Sequence, residues 1–283
     1  MPYNLSVRRE IDTELTRRAI DFMQRKRTSE QPFFAFVPLT QVHLPTLPHP
    51  DFAGVTGYGD FADSVVEMDH HVGDLLDTVE KLGIRDNTIV IFASDNGPEE
   101  VPAYHGTSGY WRGHYFTALE GSLRAPFIIR WPARVPVGKV SNDIVHITDL
   151  LPTFARAAGY SVPEDRLIDG VDQSELFFTP EGRSVREGFP VYNGDELYAY
   201  KWRDWKVHFV ELNSMFGAPQ KLNIPHIYNV IRDPKEDFNI APDATWVLPV
   251  VMSRVIDFQQ TLAKEPPIML GTPDPYRPAR DPG

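Results

Sequence analysis

The stretch that most restricts the fold of this chain is Thr88-Ile89-Val90-Ile91-Phe92-Ala93. It is a short apolar run with β-branched residues. Turn formers bound it: Asn87 before, and Ser94-Asp95-Asn96-Gly97 after. Such a run fits a strand buried on both faces, as in a parallel sheet layered with helices. In open α/β sheets, ligands bind at the carboxyl ends of strands. Asp95 and Asn96 place a carboxylate and a neutral carbonyl oxygen side by side at such an end. Hard cations such as calcium and magnesium take these donors. Taken alone, Asp-Asn-Gly after a strand reads first as an ordinary turn. The metal reading needs the rest of the chain.

Upstream, Asp12 to Arg25 has helical spacing, with Ile11, Leu15, Ala19, Phe22 and Met23 on one face and arginines on the solvated side. Pro32 leads into Phe33 to Leu39, a second run that reads as a buried strand. His43 follows in a loop pinned by Pro45, Pro48 and Pro50. A histidine held stiffly at a strand's carboxyl end can donate to an anion or protonate a leaving group. The plainer alternative is a loop histidine with no role. Asp60 to Leu82 is the clearest helix, with Asp60 as its expected cap and Gly83 closing its end. Asp69, His70 and His71 inside it point in different directions, so they read as a polar face rather than a metal site. This helix feeds the Thr88 strand in strand–helix–strand order, which calls for a right-handed crossover.

Pro98 to Ser122 is long, irregular and rich in glycine and aromatics, from Tyr104 and His105 through Tyr110, Trp111, His114 and Tyr115. Loops of that length inside a compact domain are usually functional or disordered, and the aromatics favour an ordered loop shaping a pocket. Pro126 to Trp131 reads as a strand, Ile144 to Ile147 as another short one, and Asp149 to Ala158 as a helix. Composition shifts near Asp169. The expected division is therefore an α/β domain over residues 1–168 and a smaller α+β subdomain over 169–283. The second contains alternating, aromatic-rich strands around Val191, Leu197 to Lys201, Lys206 to Glu211 and Ile227 to Arg232. A final helix is expected over Val247 to Leu262, and a loose tail from Lys264.

Composition excludes several classes of function. The net charge is −11 with no basic cluster, which argues against a nucleic-acid partner. It also gives no general attraction for anions, so any anion site must be built locally. The absence of cysteine removes disulfides, thiolate zinc sites and a cysteine nucleophile together. No apolar run reaches membrane-spanning length, and the first ten residues lack the hydrophobic core of a signal peptide. Compartment stays unassigned.

Taken together and in order, a set of short motifs resembles the sulfatases of the arylsulfatase type, in the alkaline phosphatase superfamily. The set begins with Pro32-Phe33-Phe34, His43-Leu44-Pro45, Met68-Asp69 with Val72-Gly73, and Ser94-Asp95-Asn96-Gly97. Arg112-Gly113, Glu120-Gly121, Leu123-Arg124-Ala125-Pro126 and Ile129-Arg130-Trp131-Pro132 follow. Asp149 with Pro152-Thr153, Asp169-Gly170-Val171, Tyr228-Asn229 and Asp233-Pro234 with Glu236 complete it. No single motif is decisive, but their order is specific, and the resemblance covers nearly the whole chain as the C-terminal two-thirds of such an enzyme.

The resemblance implies an alkaline-phosphatase-like, mostly parallel sheet flanked by helices, lacking its N-terminal strand. It implies that Asp95 and Asn96 are metal ligands, for Ca2+ or else Mg2+, and that His43 contacts the sulfate ester and assists its leaving oxygen. The reaction implied is hydrolysis of a sulfate ester, carried by a small molecule or a carbohydrate. The family nucleophile is a formylglycine made from cysteine or serine in a Cys/Ser-x-Pro-x-Arg motif. This chain contains no such motif. The nucleophile is therefore expected upstream, and the chain alone is expected to be inactive. A lysine usual between the Arg-Gly and Glu-Gly motifs is replaced by Tyr115, beside His114, and these two are the candidate substrate-binding residues. Two other readings stay open: a phosphate or phosphonate ester hydrolase of the same superfamily, or an inactive sulfatase-like protein that binds carbohydrate through its aromatic loop.

Overall fold

In a computed structural model, residues 3–29, 31–101, 106–269 and 271–273 are described. The first helix, α1, spans Leu5–Lys26 and starts earlier than its apolar spacing suggests, because Asn4 accepts from the Val7 amide as its N-cap. Its buried residues are Arg8, Asp12, Thr16 and Met23. The inward face is thus largely polar, for a reason given with the site below. Helix α2, Asp60–Lys81, packs against α1. Gly59, at φ 95°, occupies its N-cap in place of the expected Asp60, and Gly83, at φ 69°, follows its end as expected.

The Thr88 run yields strand β1, Val90–Ala93, which pairs with β2, Phe127–Arg130. The short helix α3, Glu120–Leu123, lies between them in sequence. The α/β class and the small antiparallel C-terminal sheet are as expected. Strand direction differs: among the described residues, β1 and β2 run antiparallel rather than parallel. Each has one ladder partner, so neither is enclosed, and Ile128 stays exposed. Phe33 to Leu39 forms no ladder among the described residues, and Phe34 and Phe36 are 84% and 77% exposed, so the run is not a buried strand here. Strand propensity is realised only where a neighbour supplies hydrogen bonds and cover. Ile144 to Ile147 also forms no strand; a 3-10 turn, Ile147–Asp149, leads directly into α4, Leu150–Ala157.

After α5, Ser174–Phe178, the chain builds a four-stranded antiparallel meander. Its strands are β3 (Gly188–Asn193), β4 (Glu196–Trp202), β5 (Trp205–Glu211) and β6 (Gln220–Asn229). Helix α6, Val247–Lys264, lays Val247, Val251 and Val255 against Tyr200, Trp202, Val207 and Ile227. A second buried cluster joins Val191, Tyr198, Ala199, Val210 and Leu212 to Ala118, just ahead of α3. Successive side chains of a strand point to opposite faces. With Val207 committed to α6, Lys206 and His208 turn toward the N-terminal half, and Lys201 does the same between Tyr200 and Trp202. Of the expected loose tail, residues 274–283 lie outside the described residues.

Candidate active site

His43 sits in a loop that two helices hold from beneath. From α1, Arg8 donates to the Thr40 and His43 carbonyls, each at 3.0 Å, and to the Thr40 hydroxyl. One turn on, Asp12 accepts from the Thr40 amide at 2.8 Å and the Gln41 amide at 2.9 Å. From α2, Glu67 accepts from the His49 amide at 2.9 Å and the Gln41 side chain at 3.3 Å. This is why the inward faces of both helices carry charge: a buried loop leaves backbone groups that need partners. It also corrects the reading of His71, which is buried with Nε2 3.6 Å from Glu67 Oε1, whereas His70 is exposed as expected. The His43 ring itself is exposed. Nδ1 donates to the Leu44 carbonyl at 2.6 Å, and Nε2 faces Glu99 Oε1 at 3.5 Å. The carbonyl can only accept, so the proton on Nδ1 is fixed and Nε2 is the atom free to exchange one.

Glu99 lies four residues beyond Asp95, so this contact joins the histidine loop to the loop that ends β1. Asp95 is exposed, and its Oδ1 is 3.5 Å from the Ser94 hydroxyl. Asn96 donates its Nδ2 to the Gly97 carbonyl at 2.8 Å, which leaves Oδ1 as its open acceptor. Gly97 then fixes the loop: its amide donates to the Ser122 carbonyl at 2.8 Å. A Cβ on Gly97 would fall 1.8 Å from the Gly121 carbonyl oxygen, so only glycine permits this approach.

The segment from Arg112 to Ser122 forms the next wall. The Tyr115 amide donates to the Pro98 carbonyl at 2.9 Å, which sets Tyr115 beside the Asp95–Glu99 loop. Its ring lies tilted against Phe116, with centroids 4.0 Å apart and planes at 41°. The His114 carbonyl accepts from the amide and hydroxyl of Thr117. Tyr104 and His105 of the expected aromatic loop lie outside the described residues.

Beneath this wall is a buried set of charges that the sequence reading missed. Lys206 Nζ lies 2.9 Å from Glu120 Oε1 and 3.2 Å from Glu236 Oε1, and donates to the Ala118 carbonyl at 2.8 Å. Lys201 and Arg124 meet the other Glu120 oxygen, and His208 Nε2 lies 2.7 Å from Glu236. Burial alone would raise the Glu120 carboxyl. The Lys206, Lys201 and Arg124 charges overturn that and hold it well below the usual carboxylate range. Glu236 is likewise brought below its ordinary value, by Lys206 and His208 against burial. Burial pulls Lys201 down to about 8, against the pull of Glu120. Arg112 completes the tie by donating to the Lys235 and Glu236 carbonyls at 2.6 and 2.7 Å. The signal available in the sequence was Lys201 and Lys206, charges flanked on both sides by apolar residues in their strands.

The donor set suits a hard cation in kind but is small. Asp95 and Asn96 offer oxygens, and no group of three or more histidine, aspartate or glutamate side chains fit for a metal occurs among the described residues. A calcium ion takes roughly six to eight oxygen ligands. The chain's own residues thus supply a part of such a shell.

The chain is similar to known sulfatases over most of its length. The sulfatase family profile matches residues 1–160, and a profile for the C-terminal region of aryl-sulfatase matches residues 184–279. Arylsulfatase D from Homo sapiens is 29% identical over 89% of this chain and 48% of its own length. N-acetylgalactosamine-6-sulfatase from Canis lupus familiaris is 30% identical over 82% of this chain and 49% of its own length. The chain therefore spans about half the length of the curated relatives it matches. Among solved structures, the PsFucS1 sulfatase from Pseudoalteromonas sp. superposes with a TM-score of 0.87 at 27% identity, covering 95% of this chain and 56% of that one. With one profile covering more than half of the 283 residues and a second falling on the small antiparallel sheet, the chain belongs to the sulfatase family.

Proposed function

We propose that this chain carries the cation-binding and histidine side of a sulfate ester hydrolase site. The observation that carries the reading is the meeting of His43 with the loop of Asp95 and Asn96 through Glu99, at the end of β1. Residues 1–168 form the site-bearing unit in this reading, and 169–283 buttress it through the Glu120–Lys206–Glu236 charges. The nucleophile comes from sequence outside these 283 residues, since no Cys/Ser-x-Pro-x-Arg motif is present among them.

The electrostatics explain the division of labour. Asp95, Glu99 and Glu100 make the crevice loop acidic, and the whole chain is acidic, so a sulfate ester is repelled unless a cation intervenes. Asp95 Oδ and Asn96 Oδ1 would hold that cation, calcium by family resemblance. When bound, it supplies a positive charge that polarises the sulfuryl oxygens. His43, with Nδ1–H committed to Leu44, presents Nε2 to exchange a proton with the leaving oxygen. Glu99 aligns that ring. In this reading Tyr115 and His114 are assigned to the substrate's alcohol, Tyr115 with a hydroxyl and a ring face in place of a fixed ammonium. N-acetylgalactosamine-6-sulfatase, the relative at 30% identity, is named for a sulfated sugar, and we assign this chain the same class of substrate, a sulfated carbohydrate.

The test is a chimera that joins this chain to the part of the PsFucS1 sulfatase that the superposition leaves uncovered. The reading expects calcium-dependent hydrolysis of an aryl sulfate, reduced at least a hundredfold by Asp95→Ala and by His43→Ala. A folded chimera that prefers an aryl phosphate, or one indifferent to both substitutions, overturns it.

A further inference from the structure

We infer that Phe116 is a sugar-stacking, specificity-determining residue at the rim of this site. The inference rests on the sulfated-carbohydrate reading above and names the surface that would recognise the sugar ring rather than the sulfate. Phe116 has φ 70°, one of three positive-φ non-glycine residues among those described. A bulky residue in that region carries backbone strain that surrounding structure must hold in place, and such strain concentrates at functional sites.

What holds it is visible. The Phe116 carbonyl accepts from the side chain of Asn193, the last residue of β3, at 3.3 Å. On one side Tyr115 is tied to Pro98, and on the other Thr117 caps back onto His114. The strained backbone brings no burial in return: Phe116 is 49% exposed, while the four residues that follow it, Thr117 to Glu120, are all buried. A residue serving the core alone would point inward. Instead the tilted Tyr115–Phe116 pair forms an open aromatic surface, one residue from the backbone contact with the Asp95–Glu99 loop.

The electron-rich face of an aromatic ring attracts the weakly positive C–H groups on one face of a pyranose. An aromatic face also gains little from an inorganic anion, so it discriminates the sugar from free sulfate.

Saturation-transfer NMR on the full chain tests this, using N-acetylgalactosamine 6-sulfate and unsulfated N-acetylgalactosamine as probes. Transfer to the pyranose ring protons of the sulfated sugar is expected. It should fall at least fivefold in Phe116→Ala and in Phe116→Gly and be retained in Phe116→Tyr. Phe116→Gly should melt no lower than the parent chain, because glycine accepts the positive φ, so lost binding in that variant cannot be charged to lost folding. Undiminished transfer in Phe116→Gly, or no transfer from either sugar, overturns the inference. Equal transfer from both sugars that Phe116→Ala abolishes upholds the stacking role and counts instead against the sulfate ester reading.

Discussion

The Lys206 ammonium, on a strand of the C-terminal sheet, lies 2.9 Å from the Glu120 carboxylate of the site wall, with both side chains almost wholly buried. One cation also serves Glu236, so Lys206 neutralises two buried carboxylates at once. Lys201 adds a second cation to Glu120, which Arg124 already meets. The two lysines are therefore unequal. Lys206→Met leaves two carboxylates short of a partner, and breaking a buried pair in this way costs about 3–5 kcal/mol. Lys201→Met leaves Glu120 with Lys206 and Arg124 and removes a lysine that burial already disfavours, so a cost within about 1 kcal/mol is expected. Urea unfolding of both variants measures the difference, and equal losses would refute the hierarchy.

Acid should loosen the same junction. Glu120, Glu236 and Asp149 all have carboxyls lowered below their ordinary values in the folded chain. For Asp149, burial is opposed by the Arg186 guanidinium and the Val171 and His146 amides. A carboxyl lowered on folding contributes stability that is present above its unfolded value and lost as pH falls. The loss should begin near the ordinary glutamate value of 4.5 and deepen below it. Melting temperatures across pH 3 to 6 check the sign. A Tm that is flat down to pH 3 would contradict it.

The loop that bears His43 should depend on α1 as much as on its own prolines. Asp12→Ala strips the acceptor from the Thr40 and Gln41 amides. Each buried donor left unmet costs about 1–3 kcal/mol. Hydrogen exchange at Thr40 and Gln41 should accelerate more than exchange in the distant β4–β5 pair. Uniform acceleration would show that Asp12 supports the whole fold rather than this loop.

How much of this was legible in the sequence depended on where the partners lie. Elements whose partners are local could be read directly. The spacing of α2, the hairpin-linked strands β3 to β5 and helix α6 were all visible as patterns, because neighbouring segments cover them. The direction of β1 and the fate of Phe33 to Leu39 were not, since an apolar run does not say which strand will pair with it. Asp95, Asn96 and His43 stood out by residue type at the ends of elements. Glu99 and Phe116 did not, because their roles come from contacts across loops, and no sequence pattern encodes a positive φ at phenylalanine. The buried faces of α1 and α2 were misread in part for the same reason. Arg8, Asp12 and Glu67 look like solvated charges until the loop they hold is in place, and His71 is buried beside Glu67.

Gly97 makes the junction between the two walls a steric question. Its amide bonds Ser122, and a Cβ would meet the Gly121 carbonyl oxygen at 1.8 Å, which is backbone and cannot swing away. Gly97→Ala should therefore part the Asp95–Asn96 loop from the Tyr115 wall and cost about 1–3 kcal/mol as an overpacking change. Gly138→Ala is a contrast of another kind: nothing lies within 4 Å of a Cβ there, and its φ of 72° alone carries the penalty. The readout that separates them is the chemical shift of the Asp95 and Asn96 amides, which should move in the first variant and stay in the second.

Cation binding by this chain should be weak. Asp95 and Asn96 give two side-chain oxygens, and no third acidic or histidine ligand joins a metal-ready cluster among the described residues. Calcium sites reach even the 10⁻⁴–10⁻³ M range only by assembling roughly six to eight oxygens, several of them charged. Two donors on one loop end leave most of that shell to water, and the acidic neighbours Glu99 and Glu100 attract the ion without fixing its geometry. Titration calorimetry on the purified chain should accordingly give a calcium Kd above about 1 mM. The same preparation should release no product from an aryl sulfate, for it lacks the nucleophile that would attack sulfur. Asp95→Ala should lower the weak calcium response further, and Glu99→Gln should lower it less, since the first removes a ligand and the second only a nearby charge. Micromolar binding that survives Asp95→Ala would place the cation elsewhere in the chain and remove the basis for assigning Asp95 and Asn96 as its ligands.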